Sequence, residues 1–207
     1  MSNVSLVWAT PEGEKLIAYM ARVSNPENQD NPESSKLIRY LIKNNHWSPL
    51  EMVNVCMEIN TTRDIARQIL RHRSFSFQEF SQRYAEAPGK EFSECRMQDY
   101  KNRQNSLPVS DKELQEAWHG NQQYVWNVAW TAYQSALERG LAKEVARKVL
   151  PEGLTMSKMY MNGTLRSWVH FLQIRCDSAT QKEHREIAMQ CGDIIRSQYP
   201  NVMEALL

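Results

Sequence analysis

Glycine is scarce in this 207-residue chain, with only seven. Neither G-x-G-x-x-G nor G-x-x-x-x-G-K-[ST] occurs, which excludes a dinucleotide-binding pyrophosphate turn and a P-loop. Any nucleotide must therefore be held by side chains and helix ends. The four cysteines, Cys56, Cys95, Cys176 and Cys191, are scattered and form no C-x-x-C pair. They give no local nucleus for zinc and read as reduced thiols, most of them packing groups. No HExxH or paired-carboxylate pattern accompanies the EHRE run at 183–186, so no metal site is expected. There is no apolar leader and no run of 18 apolar residues, so the expectation is a cytoplasmic protein that is neither secreted nor membrane-spanning. Charge of one sign is lacking too: the formal net charge is +1, and no global field draws the chain to nucleic acid or a membrane.

The chain is long enough to bury a core without staples, and its 42% hydrophobic residues are globular in proportion. LVWAT near the start predicts a short strand, followed by a helix from about Glu12 to Val23. NPENQDNPESS predicts a loop. Helical period resumes over 33–45, with Leu37, Ile38, Leu41 and Ile42 on one side. After the Pro-containing turn HWSPLE, residues 52–59 alternate, placing Val53, Val55, Met57 and Ile59 on one face and Asn54, Cys56 and Glu58 on the other. Thr61 or Thr62 caps a helix running to about Arg71. Residues 74–84 read as extended, and 86–108 as a polar excursion without regular structure. Ser110 with Glu113 forms a capping box for a long helix ending near Arg139 and Gly140. A second helix carries Val145, Ala146 and Val149 and stops before Pro151. TMSKMYMN reads as extended, SWVHFLQIR as a helix, and about 180–197 as another; His119 and His184 read as surface residues. There are no internal repeats and no linker, so the expected fold is α+β, a single compact domain over 1–207, helix-rich with a small sheet.

What stands out is local. Residues 61–84 hold five arginines, Arg63, Arg67, Arg71, Arg73 and Arg83, against Asp64 and Glu79. On a helix Arg63, Arg67 and Arg71 share one face, opposite Ile65, Ala66, Ile69 and Leu70. They are not interleaved with acids at i+4, as on a salt-bridged surface helix. Arginine forks suit phosphate and carboxylate. A nucleic-acid groove would need basic residues over a broad face. A pocket for one phosphorylated small molecule needs only a few Arg with Ser and Gln as neutral donors, and Gln68, Ser81 and Arg83 supply them. The pocket is the better reading.

RHRSFSFQEFSQRY at 71–84 resembles the signature of the flavin-dependent thymidylate synthases, RHRxxSxNExSxRY, differing only at Gln78, where the family has Asn. ARVS at 21–24, HWSPLE at 46–51, ARKVLP at 146–151 and HFLQIRCDSATQ at 170–181 resemble further family blocks in family order. Other departures are Leu50 for Phe, Met52 for His and His170 for Asn. The resemblance implies a homotetramer with active sites at subunit junctions, each holding FAD and dUMP. It implies reductive methylation of dUMP to dTMP, with methylenetetrahydrofolate as one-carbon donor and NADPH as reductant. By position, Arg71, Ser81, Arg83 and Arg147, supported by Gln68, are implied at the nucleotide phosphate and sugar. Glu79 is implied between the sugar and the flavin. Ser24, His46, Ser48, Arg71, His72, Arg73, Arg166 and His170 are implied at FAD. Arg175 is implied as the catalytic residue at the uracil edge, where a guanidinium stabilises charge building on the ring; Gln181 is a weaker candidate nearby. Ser81 has no His–Asp pair and reads as a binder, not a nucleophile. His72, between two arginines, should resist protonation and reads as a hydrogen-bonding contact to a ligand, not a general base. A flavin enzyme acting on another pyrimidine nucleotide such as dCMP, and a nucleic-acid-binding protein, are the alternatives.

Overall fold

A nine-residue antiparallel ladder runs through the middle of the molecule. In the computed structural model, which describes residues 1–206, strand β2 (Asn54–Thr62) pairs with β6 (Met156–Thr164) from Asn54↔Thr164 to Thr62↔Met156 without a break. β1 (Asn3–Ala9) flanks β2, and the short β3 (Ser76–Glu79) flanks β6, giving the order β1-β2-β6-β3, all antiparallel. The period-2 alternation of β2 holds: Val55, Met57 and Ile59 are buried, facing Gly163, Met161 and Met159 across the ladder. The opposite face pairs Glu58 with Tyr160, and Lys158 makes a 3.0 Å ion pair with Glu58.

Helices cover the apolar face. α1 (Gly13–Ala21), α2 (Ser35–Lys43), α3 (Arg63–Ile69), α6 (Leu165–Arg175), α7 (Lys182–Gln198) and α8 (Pro200–Glu204) bury Ile17, Ile38, Leu41, Ile65, Trp168, Phe171, Ile187, Ile195 and Val202 in one core with the sheet. Each fully buried side chain of this kind contributes roughly 1.5–3 kcal/mol. Trp168 donates its indole N–H to the Val55 carbonyl at 3.0 Å, so the largest core residue buries no unpaired polar group. Both long strands pass directly into helices, β2 into α3 at Thr62 and β6 into α6 at Thr164. Thr164 accepts from the Ser167 N–H, a side-chain cap.

α4 (Lys112–Glu138) lies apart. It packs chiefly on α5 (Lys143–Ala146) and the following 3-10 turn (Arg147–Val149), around Ala87, Tyr133 and Ala146. Its cap is Asp111, whose carboxylate accepts from Leu114 N–H at 3.1 Å, so the box expected at Ser110 is displaced by one residue. The excursion over 86–108 is not structureless. It holds a hairpin of β4 (Arg96–Gln98) and β5 (Ser106–Pro108), whose tip is closed by Asp99 accepting from Lys101, Asn102 and Asn105. Of the extended reading for 74–84 only β3 is strand, and 81–84 turn back on themselves. The helix expected to reach Arg71 ends at Ile69, which puts Arg71 beyond its last turn.

Gly163 admits the signature segment to the core. A Cβ there would lie 2.4 Å from a Phe75 ring carbon, and Phe75 packs edge-on to Trp168 at 4.8 Å. Gly163→Ala is expected to lower stability by about 1–3 kcal/mol by overpacking, read as a reduced midpoint in urea unfolding.

Candidate functional site

The end of α3 and the end of α6 meet at one hydrogen bond. Arg175, the last residue of α6, donates its Nε–H to His72 Nε2 at 2.9 Å. His72 lies three residues past Ile69, and its ring packs edge-on to Phe171 at 5.0 Å. Burial pushes His72 down to about 4, helped by the positive charges of Arg175, His170 and Arg71. It is therefore neutral at pH 7 with its Nε2 lone pair already used, a state suited to orienting Arg175 and not to abstracting a proton. Within this chain the Nε2 of His72 is thus taken up by Arg175. The guanidinium keeps its NH1 and NH2 groups for a ligand.

Gln68 stands beside this pair. It lines the same hollow as Arg175, Thr180 and Gln181, with Gln104 from the β4–β5 hairpin loop as a further wall. Its Nε2 donates to Gln181 Oε1 at 2.7 Å, and its Oε1 lies 3.2 Å from Nδ1 of His184. His184 is fully buried, against the expectation of a surface residue. Its place on α7 follows from the helix period: 184, 187, 188, 191, 192 and 195 form the buried stripe. That stripe was the available signal. Burial, then the charge of Arg175 and the neighbouring His72, pushes His184 down to about 3.

A polar strip continues along the exposed face of α6. Arg166, His170 and Gln173 stand at i, i+4 and i+7. Arg166, Ser167, His170 and Gln173 line a hollow with Asn45, Trp47 and Ser74; Arg166 also lines a neighbouring one with His46 and Ser48. Gln173 joins this strip to the hollow of Arg175. Arg166 meets Glu51 in an ion pair. Hydroxyl, imidazole, guanidinium and amide donors beside an indole fit a ligand with both phosphates and a fused ring system, as a flavin dinucleotide has. Arg71 and Arg73 are exposed on the turn that leads to Ser74 and line neither hollow, and Ser24, on an exposed turn after α1, also lies outside them.

The remaining signature residues form a second group. Arg83 pairs with Glu144 at 3.3 Å, next to Arg147, and Ser81 Oγ accepts from the Arg83 N–H at 3.4 Å. Glu79 accepts from Ser157 Oγ at 2.9 Å and lies 3.9 Å from Arg63. Among the described residues no hydrogen bond or ion pair joins Ser81, Arg83 or Arg147 to Gln68 or Arg175. The basic helix is less free than its sequence implies: Arg63 faces Glu79, and Arg67 is paired with Glu152. Those acids lie far along the chain, which is why no i+4 pattern announces them, and their charge counts against a nucleic-acid face.

The two depressed histidines set an acid limit. Unfolded, each imidazole takes a proton near 6.5; folded, only near 4 and 3. Below 6.5 the unfolded state therefore binds more protons, and stability falls as pH drops towards 4. Thermal melts from pH 7.5 to 4.5 should show a falling midpoint that is shallower in His184→Asn; parallel curves would contradict it.

Comparison with known proteins identifies the family and the fold. The family model described as thymidylate synthase complementing protein matches residues 5–201. A flavin-dependent thymidylate synthase of Synechocystis sp. is 52% identical over 197 residues, 95% of this chain and 90% of that protein. A probable flavin-dependent thymidylate synthase of Paramecium bursaria Chlorella virus 1 is 46% identical, over 93% of this chain and 90% of that one. Among solved structures, the UMP/dUMP methylase PolB from Streptomyces cacaoi, bound with 5-Br dUMP, superposes with a TM-score of 0.87 at 27% identity, covering 99% of this chain and 94% of that one. By that match over residues 5–201 and those identities, this chain belongs to the thymidylate synthase complementing protein family.

Proposed function

We propose that this protein is a cytoplasmic flavin-dependent thymidylate synthase that converts dUMP to dTMP, with FAD bound, NADPH as reductant and methylenetetrahydrofolate as one-carbon donor. The observation that carries the reading is the corner where Arg175, oriented by neutral His72, shares a hollow with Gln68. A cation fixed against a pyrimidine edge stabilises the negative charge that develops as the ring carbon becomes nucleophilic, and its preorganisation lowers the barrier without reorganisation during the step. His72 supplies that preorganisation by accepting from Nε, leaving the outer nitrogens for the ring. Arg166, His170, His46 and Ser48 along the α6 strip, with His72 and Arg73 beside it, would hold FAD, which would supply redox equivalents for reducing the transferred one-carbon unit. Arg71, Ser81, Arg83 and Arg147 hold the nucleotide phosphate by charge-assisted bonds, and Glu79 adjoins its sugar.

We further propose that the working unit is a homotetramer of this single domain, with each site completed across a junction. The lack, among the described residues, of any hydrogen bond or ion pair joining Ser81, Arg83 or Arg147 to Gln68 or Arg175 supports this. So does α4, which leaves Leu114, Trp118, Tyr124, Val125 and Val128 exposed, an apolar face suited to burial against another copy. A second reading widens the substrate: the relative PolB is named a UMP/dUMP methylase and was also solved bound with 5-Br UMP, so uridine ribonucleotide is a reasonable competitor.

Purified protein should be yellow and release tritium from the 5 position of labelled dUMP when folate and NADPH are supplied. Colourless protein that does not take up FAD would refute the assignment. Parallel assays with UMP and dCMP decide the nucleotide. Arg175→Ala should reduce kcat by at least ~100-fold at unchanged flavin content; wild-type turnover would remove Arg175 from catalysis. Arg83→Ala should raise the KM for dUMP about 10-fold or more, through loss of a charge-assisted bond. An unchanged KM would reassign Arg83 to its Glu144 ion pair alone.

A further inference from the structure

Behind Gln68 runs a chain of hydrogen bonds whose direction is forced from one end. Arg96 NH2 donates to Glu183 Oε1 at 2.5 Å, Gln181 Nε2 donates to Glu183 Oε2 at 3.1 Å, and Gln68 Nε2 donates to Gln181 Oε1 at 2.7 Å. The last link joins Gln68 Oε1 to His184 Nδ1 at 3.2 Å. Burial raises the Glu183 carboxyl, but hydrogen bonds from its own backbone N–H and from Arg96 outweigh it and hold it below the usual carboxylate range. An ionised carboxylate only accepts. It therefore turns the Gln181 nitrogen towards itself and the Gln181 oxygen towards Gln68. That oxygen needs a donor, which turns the Gln68 nitrogen outward and its oxygen inward, where only a protonated Nδ1 of His184 can satisfy it.

The far end of the chain leads to the same direction. His184 Nε2 is buried with no hydrogen-bond partner. With the proton on Nδ1, the orphan is a lone pair. With the chain reversed, it would be a buried N–H, the costlier defect and one that folded proteins rarely tolerate. Reversal would also set the Gln181 oxygen against the Glu183 carboxylate. The ring is held in place: it packs edge-on to His72 at 6.2 Å and against Phe171 at 5.9 Å. None of these contacts needs an imidazole for packing alone; Phe171 shows that a carbocycle is accommodated in this cluster.

We infer that Glu183, Gln181 and His184 are positioning residues that fix the side-chain amide of Gln68 with an N–H presented to the hollow of Arg175. Gln68 Nε2 carries two hydrogens, one spent on Gln181 and one free. The Gln68–Arg175 wall then presents donors only, and the group it recognises is an acceptor oxygen of the nucleotide, whether base carbonyl, sugar or phosphate. The inference rests on the nucleotide reading above for its ligand, but not for the direction of the chain.

The test uses the flavin-loaded wild-type protein and two variants. ¹⁵N-histidine NMR of the wild type should show His184 as the neutral Nδ1–H tautomer; an Nε2–H tautomer overturns the inference regardless of substrate. In the dUMP assay, His184→Asn, whose amide nitrogen stands where Nδ1 stood, should keep the KM for dUMP within about 2-fold. His184→Leu should raise it about 10-fold, with flavin content unchanged and a smaller effect on kcat. A folded His184→Leu with wild-type KM, or Asn and Leu variants equally impaired, overturns it. If His184→Leu does not fold, the tautomer and the Asn variant decide. Wild-type protein that neither binds nor turns over dUMP would refute the nucleotide reading while the tautomer still settles the direction of the chain.

Discussion

The pairing of β2 with β6 is the constraint from which the site follows. Nine residues of each strand face one another without a bulge, and each strand runs into a helix at its last residue, at Thr62 and at Thr164. Because side chains alternate strictly along a strand, a slip of one residue would turn Met57, Ile59, Met159 and Met161 to the outer face. The register is therefore fixed by the core, and the core by the register. With the ladder set, α3 and α6 have defined starts, and their lengths bring His72 and Arg175 together at 2.9 Å. Phe75, admitted by the missing side chain of Gly163, pins the loop between them.

One buried histidine, one half-buried histidine and one arginine share this corner, and their charges decide its chemistry. Arg175 is permanently cationic, so a second charge nearby in a poorly solvated place is costly. Both imidazoles respond by staying neutral, and a neutral imidazole offers one donor and one acceptor. His72 spends its acceptor on Arg175; His184 spends its donor on Gln68. The cation is thus held without being neutralised, which is what a group meant to meet developing negative charge requires. Elsewhere three of the five arginines of the basic segment meet acids: Arg63 meets Glu79, Arg67 meets Glu152 and Arg83 meets Glu144. Arg175, among the described residues, meets no acid and keeps its outer guanidinium nitrogens for the hollow.

Much of the scaffold was legible because its signals are local. The alternation from Val53 to Ile59, the helical period of 37–42 and 184–195, and the apolar run before Arg175 each report a burial that neighbours in sequence share. Departures occurred where a partner far along the chain decides. The β4–β5 hairpin has three-residue strands, too short to show alternation, and its one apolar pair, Met97 opposite Leu107, is exposed; the turn is built by Asp99, and Arg96 reaches Glu183. Asp111 took the cap expected of Ser110 because either side chain can accept from an N–H, and backbone geometry selects between them. His184 was misread by its polarity, although the stripe through Ile187, Ala188 and Cys191 placed it on the buried face.

Sequence by itself determined the family, through residues 71–84 and the blocks around them, and with it the residue types of a nucleotide and flavin site. It also determined the strand and helix periods, since hydrophobic spacing follows from the geometry of each element. Only the tertiary structure decided which of those residues meet. It joined His72 to Arg175, buried His184 behind Gln68, and paired Arg83 with Glu144. The reason is physical: a hydrogen-bond partner is chosen by distance and orientation in space, and neither is a function of spacing along the chain.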